Sequence, residues 1–428
     1  MARSTGNDPP TVSGPSPRSD KVEYQTGGWS ELLRNRRYLL LLGSGTLAGA
    51  GYAVYSVSVL FLAYGLSGNL LVVGAVLFIE YGVYTLTFLI APLVDRARDK
   101  RTVLLVCYPI QALAAALLAV ELRGGALSVP VLLGLVLVLA VLWDFVWATF
   151  MIAPPLVLPK RQLFVADGLS SVVSVGTQVG GYAGGGALLY FVGPYGGASA
   201  YAVLLLGAFL IALPLRLRVE HPPDTRFLET FRRGWDAFRG RAGRSLRSLA
   251  GVDVLFGFFS AVPPLLLPAI AFERFGTPAS AYAVLVTAFA LGGSLAGILV
   301  GHANPRRHVG RLLILTPVLA GVSLLALLPT GVPLALPAFL VAVAGAAVSV
   351  RYTAKYTWVQ GSYAPELLGR LSANLYLFTG VSGSIAVLVV GELSARLPLE
   401  PLLALDGLGL VVAGLVSIAL PGLSRLSF

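Results

Sequence analysis

Cysteine occurs once in this chain, as Cys107, and histidine three times, as His221, His302 and His308. One thiol cannot close an intrachain disulfide, and so few soft ligands leave no zinc or iron–sulfur site to build. There is no HExxH run and no GxxxxGK[ST] phosphate loop, so zinc-protease and P-loop ATPase chemistry are excluded by motif. No nucleophile stands with a neighbouring base, so no enzyme activity, cofactor or metal is expected. Charge is scarce as well. Asp, Glu, Lys and Arg make up 12% of the 428 residues, against about 25% in ordinary soluble domains.

What replaces charge is apolar length. Hydrophobic residues reach 56%, and they gather in runs long enough to cross a hydrocarbon core of about 30 Å. Twelve runs are read, at roughly 38–63, 69–94, 103–121, 128–156, 165–192, 197–215, 249–272, 279–301, 312–329, 333–357, 371–395 and 402–421. Lipid cannot hydrogen-bond a bare backbone, so each run is expected to be a helix, and the alternation of a β-barrel is absent. The sequence therefore predicts an all-α membrane protein with twelve transmembrane helices. Residues 1–37 are polar and rich in Pro, Ser and Gly, the composition of a disordered tail rather than a secretory signal.

The basic residues set the expected orientation. With the N-terminus in the cytosol, only Arg123, Arg274 and Arg396 of the 31 Lys and Arg residues fall outside, as the positive-inside rule requires. Both termini are thus expected on the cytosolic side of the cytoplasmic membrane. The net charge of +11 then reports topology and contact with anionic lipid, not nucleic-acid binding.

Six runs lie on each side of a polar insert, so the expected divisions are a tail (1–37), an N-terminal bundle (38–215), a linker (216–248), a C-terminal bundle (249–421) and a cytosolic C-terminus (422–428). The linker carries Phe227, Phe231, Trp235 and Phe238 between arginines, the pattern of an amphipathic helix on the inner membrane surface or of a plain solvated linker. A shift of about 206 residues superimposes the hydropathy of the halves and sets "LPKRQLFVADG" (158–168) against "APELLGRLSAN" (364–374). Internal repeats of this kind build many secondary transporters.

Two motifs carry a family resemblance. "APLVDRARDKRTVLL" (91–105) resembles the loop 2–3 motif of the major facilitator superfamily, with Asp95, Arg96, Lys100 and Arg101 in place and Ala91 and Arg98 where the pattern has glycine. "GTQVGGYAGG" (176–185) is similar to that superfamily's antiporter motif, with Gly181 in place of its proline. The segments around them are most similar to the drug- and siderophore-exporter branch, typified by the enterobactin exporter. The resemblance implies two six-helix bundles that rock about a central site lined by spans 1, 4, 7 and 10. It also implies that Asp95 latches a neighbouring helix end in the outward-facing state, unless the cluster is only a positive-inside anchor. In the second half Asn304 replaces the acid, so the latch is expected to be one-sided. Gly176, Gly180, Gly181, Gly184 and Gly185 read as a close helix contact, with or without a part in antiport.

Charges inside apolar runs are functional candidates by default. Glu80 lies in "LFIEYGVYTL" of span 2, Asp144 in "LAVLWDFVWATFM" of span 4 and Arg351 in span 10. An acid that alternates between an apolar environment and a nearby cation can take up a proton in one state and release it in the other. Glu80 and Asp144 are therefore expected to couple protons or bind substrate, and a static interhelical hydrogen bond is the plainer alternative. Glu80 belongs, by the resemblance, to the rocking interface of spans 2, 5, 8 and 11. Asp144 lies 15 residues before Pro159 and Arg351 14 before Pro365, so the two share a depth of about 20 Å in related helices. They are expected either to pair across the cavity or to bond each within its own half. Asp253 and Lys355 read as interfacial anchors.

Tyr52, Tyr55, Trp147, Phe259 and Tyr356 are candidate cavity aromatics, with Trp143, Phe256 and Tyr352 beside them. They suit a bulky, partly apolar solute. The set of Asn and Gln on cavity helices that a sugar site needs is missing, and Gln111 and Gln178 are the only glutamines well inside spans. The expected function is a monomeric secondary transporter that exports an amphiphilic small molecule by proton antiport. The alternatives are a symporter or uniporter for an organic anion held by Arg351, and a non-cycling receptor.

Overall fold

The computed structural model describes residues 29–219, 244–303, 309–362 and 365–420. The amphipathic segment of the linker, residues 1–28, Asn304 and residues 422–428 lie outside the described residues. Within them the chain is almost wholly helical, and its only β feature is an isolated bridge between Asp99 and Arg218.

Span 1 is Arg36–Ser67, span 3 Lys100–Gly124, span 4 Val129–Ile152, span 5 Lys160–Phe191 and span 6 Pro194–Ala212. Span 8 is Pro278–Ala303, span 10 Ala335–Ser362, span 11 Pro365–Leu393 and span 12 Leu399–Ala419. Span 7 is built from Arg244–Ser260 and Pro263–Arg274. Span 2 divides into Leu70–Thr85 and Thr87–Arg96, bent by 54°. Leu86, at the break, has φ −86° and ψ 3°, a sparsely populated bridge conformation, and Pro92 removes an amide from the second piece.

Among the described residues ten helices are long and apolar enough to cross a membrane, or eleven with the bent pair joined. Val309–Leu325, in the ninth place, has only 17 residues, about 25 Å at 1.5 Å per residue, so the described helices do not give twelve full-length spans.

Local chemistry sets several boundaries. Gly68 and Gly125 end spans 1 and 3 at φ 61° and 66°, a left-handed turn that glycine adopts without strain. Asn35 caps span 1, accepting from the Tyr38 amide at 3.1 Å while donating to the Val157 carbonyl at 3.0 Å. The stretch before it is not uniformly a tail: Trp29–Arg34 is helical, because Leu32 is fully buried against Tyr38, Leu158 and Ala166.

Helix pairing repeats between the halves. Span 1 packs on 5 and 6, span 3 on 4 and 6, and span 2 on 4; correspondingly span 7 packs on 11 and 12, span 9 on 10 and 12, and span 8 on 10. The halves meet through two equivalent pairs, 2 with 11 and 5 with 8. Glycine makes both contacts close. A Cβ at Gly391 would lie 3.0 Å from Leu71 Cα, Gly74 abuts the Val387 carbonyl, and Gly186 abuts Ala283; small residues let helix backbones approach where lipid offers no hydrophobic drive. The outer surface is apolar, with Leu113, Leu299 and Phe339 at least 64% exposed, as a lipid-facing surface must be.

Candidate functional site

A cavity of about 1140 Å³ lies between the halves. It is closed at one end by Phe61 on Phe272 (4.7 Å between rings) and by the Tyr64 hydroxyl donating to Glu273 at 2.8 Å. Its lining runs to Gly168 on span 5, just after Lys160 and Arg161, and to Thr357 on span 10. It therefore opens at the end that carries the basic loops.

Spans 1, 2, 5, 7, 8 and 10 line it, and span 4 does not. The physical reason is a ring stack: Tyr52 covers Trp143 at 4.4 Å with 5° between the planes, so the aromatic face of span 4 is screened. Helical spacing places Leu77, Glu80 and Tyr81 of span 2 on the lining. Glu80, assigned by resemblance to the rocking interface, thus stands in the cavity wall, and its Oε1 is buried with no hydrogen-bond partner. Tyr52, Tyr81, Tyr182, Tyr282 and Tyr352 line the same space. Three of these, Tyr81, Tyr182 and Tyr282, were passed over in the sequence, because spans 2, 5 and 8 were not expected to face the site.

Of the candidate aromatics, Tyr52 and Tyr356 are on the lining. Tyr55 is buried behind it, stacked on Tyr201 at 5.2 Å. Phe259 packs on Phe258 and fills the space beside Gly409. Trp147, one turn from Trp143, is 39% exposed and does not line the cavity.

Asp144 and Arg351 do not meet, and neither lines the cavity. Asp144 is buried, with Oδ1 2.7 Å from the Thr87 hydroxyl at the break in span 2 and Oδ2 without a partner. Arg351 is committed to its own half. Its guanidinium donates to Asp253 at 3.0 Å and to the Leu313 carbonyl at 2.6 Å, and lies 4.3 Å from the Phe256 ring centre. Lys355 reaches the other Asp253 oxygen at 3.0 Å. All three side chains are about 1% exposed, so Asp253 and Lys355 are not interfacial anchors. Lys355 also lies 4.8–4.9 Å from the ring centres of Tyr352 and Tyr356, which are cavity-wall residues. A buried carboxylate held by two cations is a fixed charge, costly to break from either side.

The loop motif is local too. The Lys100 ammonium donates to the carbonyls of Val94 and Asp95 at 2.8 and 2.6 Å, which places a cation at the carbonyl end of Thr87–Arg96. Asp99 accepts from the Arg101 amide at 3.1 Å and lies 3.8 Å from Arg218. The Lys100 amide donates to the Leu217 carbonyl, so the motif ties the 2–3 connection to the chain leaving span 6. Among the described residues neither Asp95 nor Arg96 forms an ion pair. In span 5, a Cβ at Gly181 would lie 2.6 Å from Ala53 and one at Gly185 2.9 Å from Val54, whereas Gly176, Gly180 and Gly184 have nothing within 4 Å. The close contact is therefore made by Gly181 and Gly185 against span 1.

The fold recurs in solved structures. A point mutant of the nucleoside transporter NupG is 12% identical, with a TM-score of 0.73 over 90% of this chain and 99% of that one. A POT family transporter in complex with 5-aminolevulinic acid is 10% identical, with a TM-score of 0.72 over 91% and 96%. The POT family transporter PepTSo is 12% identical, with a TM-score of 0.72 over 90% and 97%. No curated protein matches the chain significantly. The family described as transmembrane secretion effector matches residues 33–424. That span takes in both halves, so the chain belongs to the transmembrane secretion effector family of the major facilitator superfamily, and it is a membrane transporter rather than an enzyme.

Proposed function

We propose that the protein exports an amphiphilic small molecule across the cytoplasmic membrane, in exchange for protons, by rocking of its two halves. The observation that carries this reading is Glu80: a carboxylate oxygen without a partner, in the wall of a large cavity otherwise dominated by tyrosine and aliphatic side chains. The volume of about 1140 Å³ exceeds the roughly 300–1000 Å³ of drug-sized pockets. The aromatic walls take the apolar body of the substrate, and Glu80 takes either a hydrogen-bond-donating group or a proton. Competition between the two for one carboxylate is the simplest form of antiport.

Asp144 acts beside it, through the break in span 2. Thr87 has one hydroxyl hydrogen and two acceptors in reach, the Tyr84 carbonyl at 2.6 Å and Asp144 at 2.7 Å. A proton on Asp144 lets both contacts be hydrogen bonds, and its loss leaves the two oxygens competing for Thr87. The proton would thereby bias the bend that carries Asp95, Arg96, Lys100 and Arg101, the cytosolic gate. The positive-inside rule supports this orientation, with both termini in the cytosol and the cavity open toward it. The exporter branch typified by the enterobactin exporter fits this arrangement, with a monomer as the working unit and no nucleic-acid partner. Uptake of an organic anion on Arg351 has less support, because Asp253 and Leu313 already hold that guanidinium.

The test begins with a thermal-shift screen of the purified protein against a metabolite and drug panel. Any stabilising compound is then followed in proteoliposomes. Counterflow and pH-gradient-driven accumulation are expected, with Glu80→Gln keeping counterflow and losing the response to the gradient. Binding without counterflow would mark a non-cycling receptor instead.

A further inference from the structure

A further buried acid lies on the far side of the cavity wall. Asp406 of span 12 is 1% exposed, and neither carboxylate oxygen has a hydrogen-bond partner. It faces an enclosed pocket of about 10 Å³, bounded by Pro263, Leu266 and Ile270 of span 7, with Leu324 and Val341 opposite. That is the room of about one water molecule. Two further wall residues, Leu267 and Phe289, also line the central cavity, so they form the partition between the two spaces.

Among the described residues no cation balances this acid, and Asp406 is the only titratable residue on the pocket wall. Arg274, one turn beyond Ile270, donates to the Leu327 carbonyl and, at 3.3 Å, to Glu400. Arg351, two turns beyond Ala344, is held by Asp253, and Arg311 sits near the opposite end of span 9. Nor can a metal ion be the ligand: one carboxylate among aliphatic walls is far short of the six or more oxygens that hard cations take. An ionised carboxylate here has at most one water for company, whereas the neutral acid brings its own donor and asks far less of the pocket.

The covering wall begins at a break in its own span. Pro263, Leu266, Leu267 and Ile270 all belong to Pro263–Arg274, which follows the break in span 7. Pro263 and Pro264 have no amide hydrogen, so they cannot bond back to the preceding turn. Across the break the two pieces are joined by Val262, whose amide donates to the Phe259 carbonyl and whose carbonyl accepts from the Leu265 and Leu266 amides.

We propose that Asp406 is a proton-binding site of the C-terminal half, occluded here and joined to the central cavity through Phe289 and Leu267 when Pro263–Arg274 swings on its break. The proton enters from water admitted to the opened pocket and returns to water, so no other reactant is needed. Its use in export rests on the proton-coupled reading above; the site itself does not.

Infrared spectroscopy of the full chain in lipid vesicles at neutral pH tests it without a substrate. The carbonyl band of a protonated carboxylic acid is expected, and Asp406→Asn should remove it; Glu80→Gln and Asp144→Asn assign any other such band. If Asp406→Asn does not fold, Asp406→Glu should shift the band. On transfer to heavy water the Asp406 band should move slowly in the wild type and several-fold faster in Phe289→Ala, with the lipid-facing Phe339→Ala as control. A spectrum unchanged by substitution of Asp406, or an exchange rate unchanged by Phe289→Ala, overturns the proposal. Failure of proton-coupled transport would leave the band in place, so the two ideas fail separately.

Discussion

Among the described residues the buried carboxylates of the N-terminal half pair with no cation: Glu80 keeps a free oxygen in the cavity wall, and Asp144 shares one threonine hydroxyl. In the C-terminal half Asp253 lies between Arg351 and Lys355, 3.0 Å from each. The contrast separates two uses of charge in one membrane bundle. A carboxylate held by two cations has little to gain from a proton or a ligand, so its work is to fix the geometry of spans 7 and 10. A carboxylate with an unused oxygen can change partner, which is what transport requires.

The largest expected effect comes from breaking the fixed set. Asp253→Ala leaves two buried cations without their counter-charge and should cost about 3–5 kcal/mol, read as a large fall in melting temperature or as loss of folded protein from the membrane. Asp144→Asn should be far milder in stability, since the amide can still pair with Thr87. A fall as large as that of Asp253→Ala would erase the distinction between fixed and free acids. Next is packing. Gly185→Leu pushes a side chain into the Val54 backbone and should cost about 1–3 kcal/mol, whereas Gly180→Ala, with nothing within 4 Å, should stay within about 0.5 kcal/mol. A similarly small effect belongs to Arg218→Ala: its contact with Asp99 is 3.8 Å long and Arg218 is 85% exposed, worth under about 1 kcal/mol. Exchanging Asp144 and Arg351 sharpens the comparison further. With each charge serving its own half, the double variant should transport no better than either single one; partial recovery would show that the two meet in another conformation.

Much of the fold was legible because lipid allows the backbone so few choices. Apolar length, the 206-residue repeat and the loop motif pointed to a two-bundle transporter, and the family match over residues 33–424 agrees. The ninth helix, Val309–Leu325, starts and ends a few residues earlier than its apolar run. The site was legible only in part. Glu80, Asp144 and Arg351 stood out as charges in apolar runs, but hydropathy carries no partner information, so it could not reveal the Arg351–Asp253–Lys355 cluster. Spacing held the one available hint, since Arg351 and Lys355 are one turn apart on one helix face. The expectation that spans 1, 4, 7 and 10 form the lining came from resemblance; which helices face the cavity depends on the conformation and on single contacts such as Tyr52 on Trp143. Asp406, in "EPLLALDGLGLVV", carries the same sequence signal as Asp144, an acid inside an apolar run.

The central claim is that Glu80 is the carboxylate for which proton and substrate compete. The most direct measurement is proton movement itself: proteoliposomes loaded with a pH-sensitive dye, with a gradient of a compound found in the screen as the only driving force. The wild type should move protons against the compound's flow. Glu80→Gln should exchange the compound across the membrane with no dye response. A dye response in Glu80→Gln equal to that of the wild type would contradict the account.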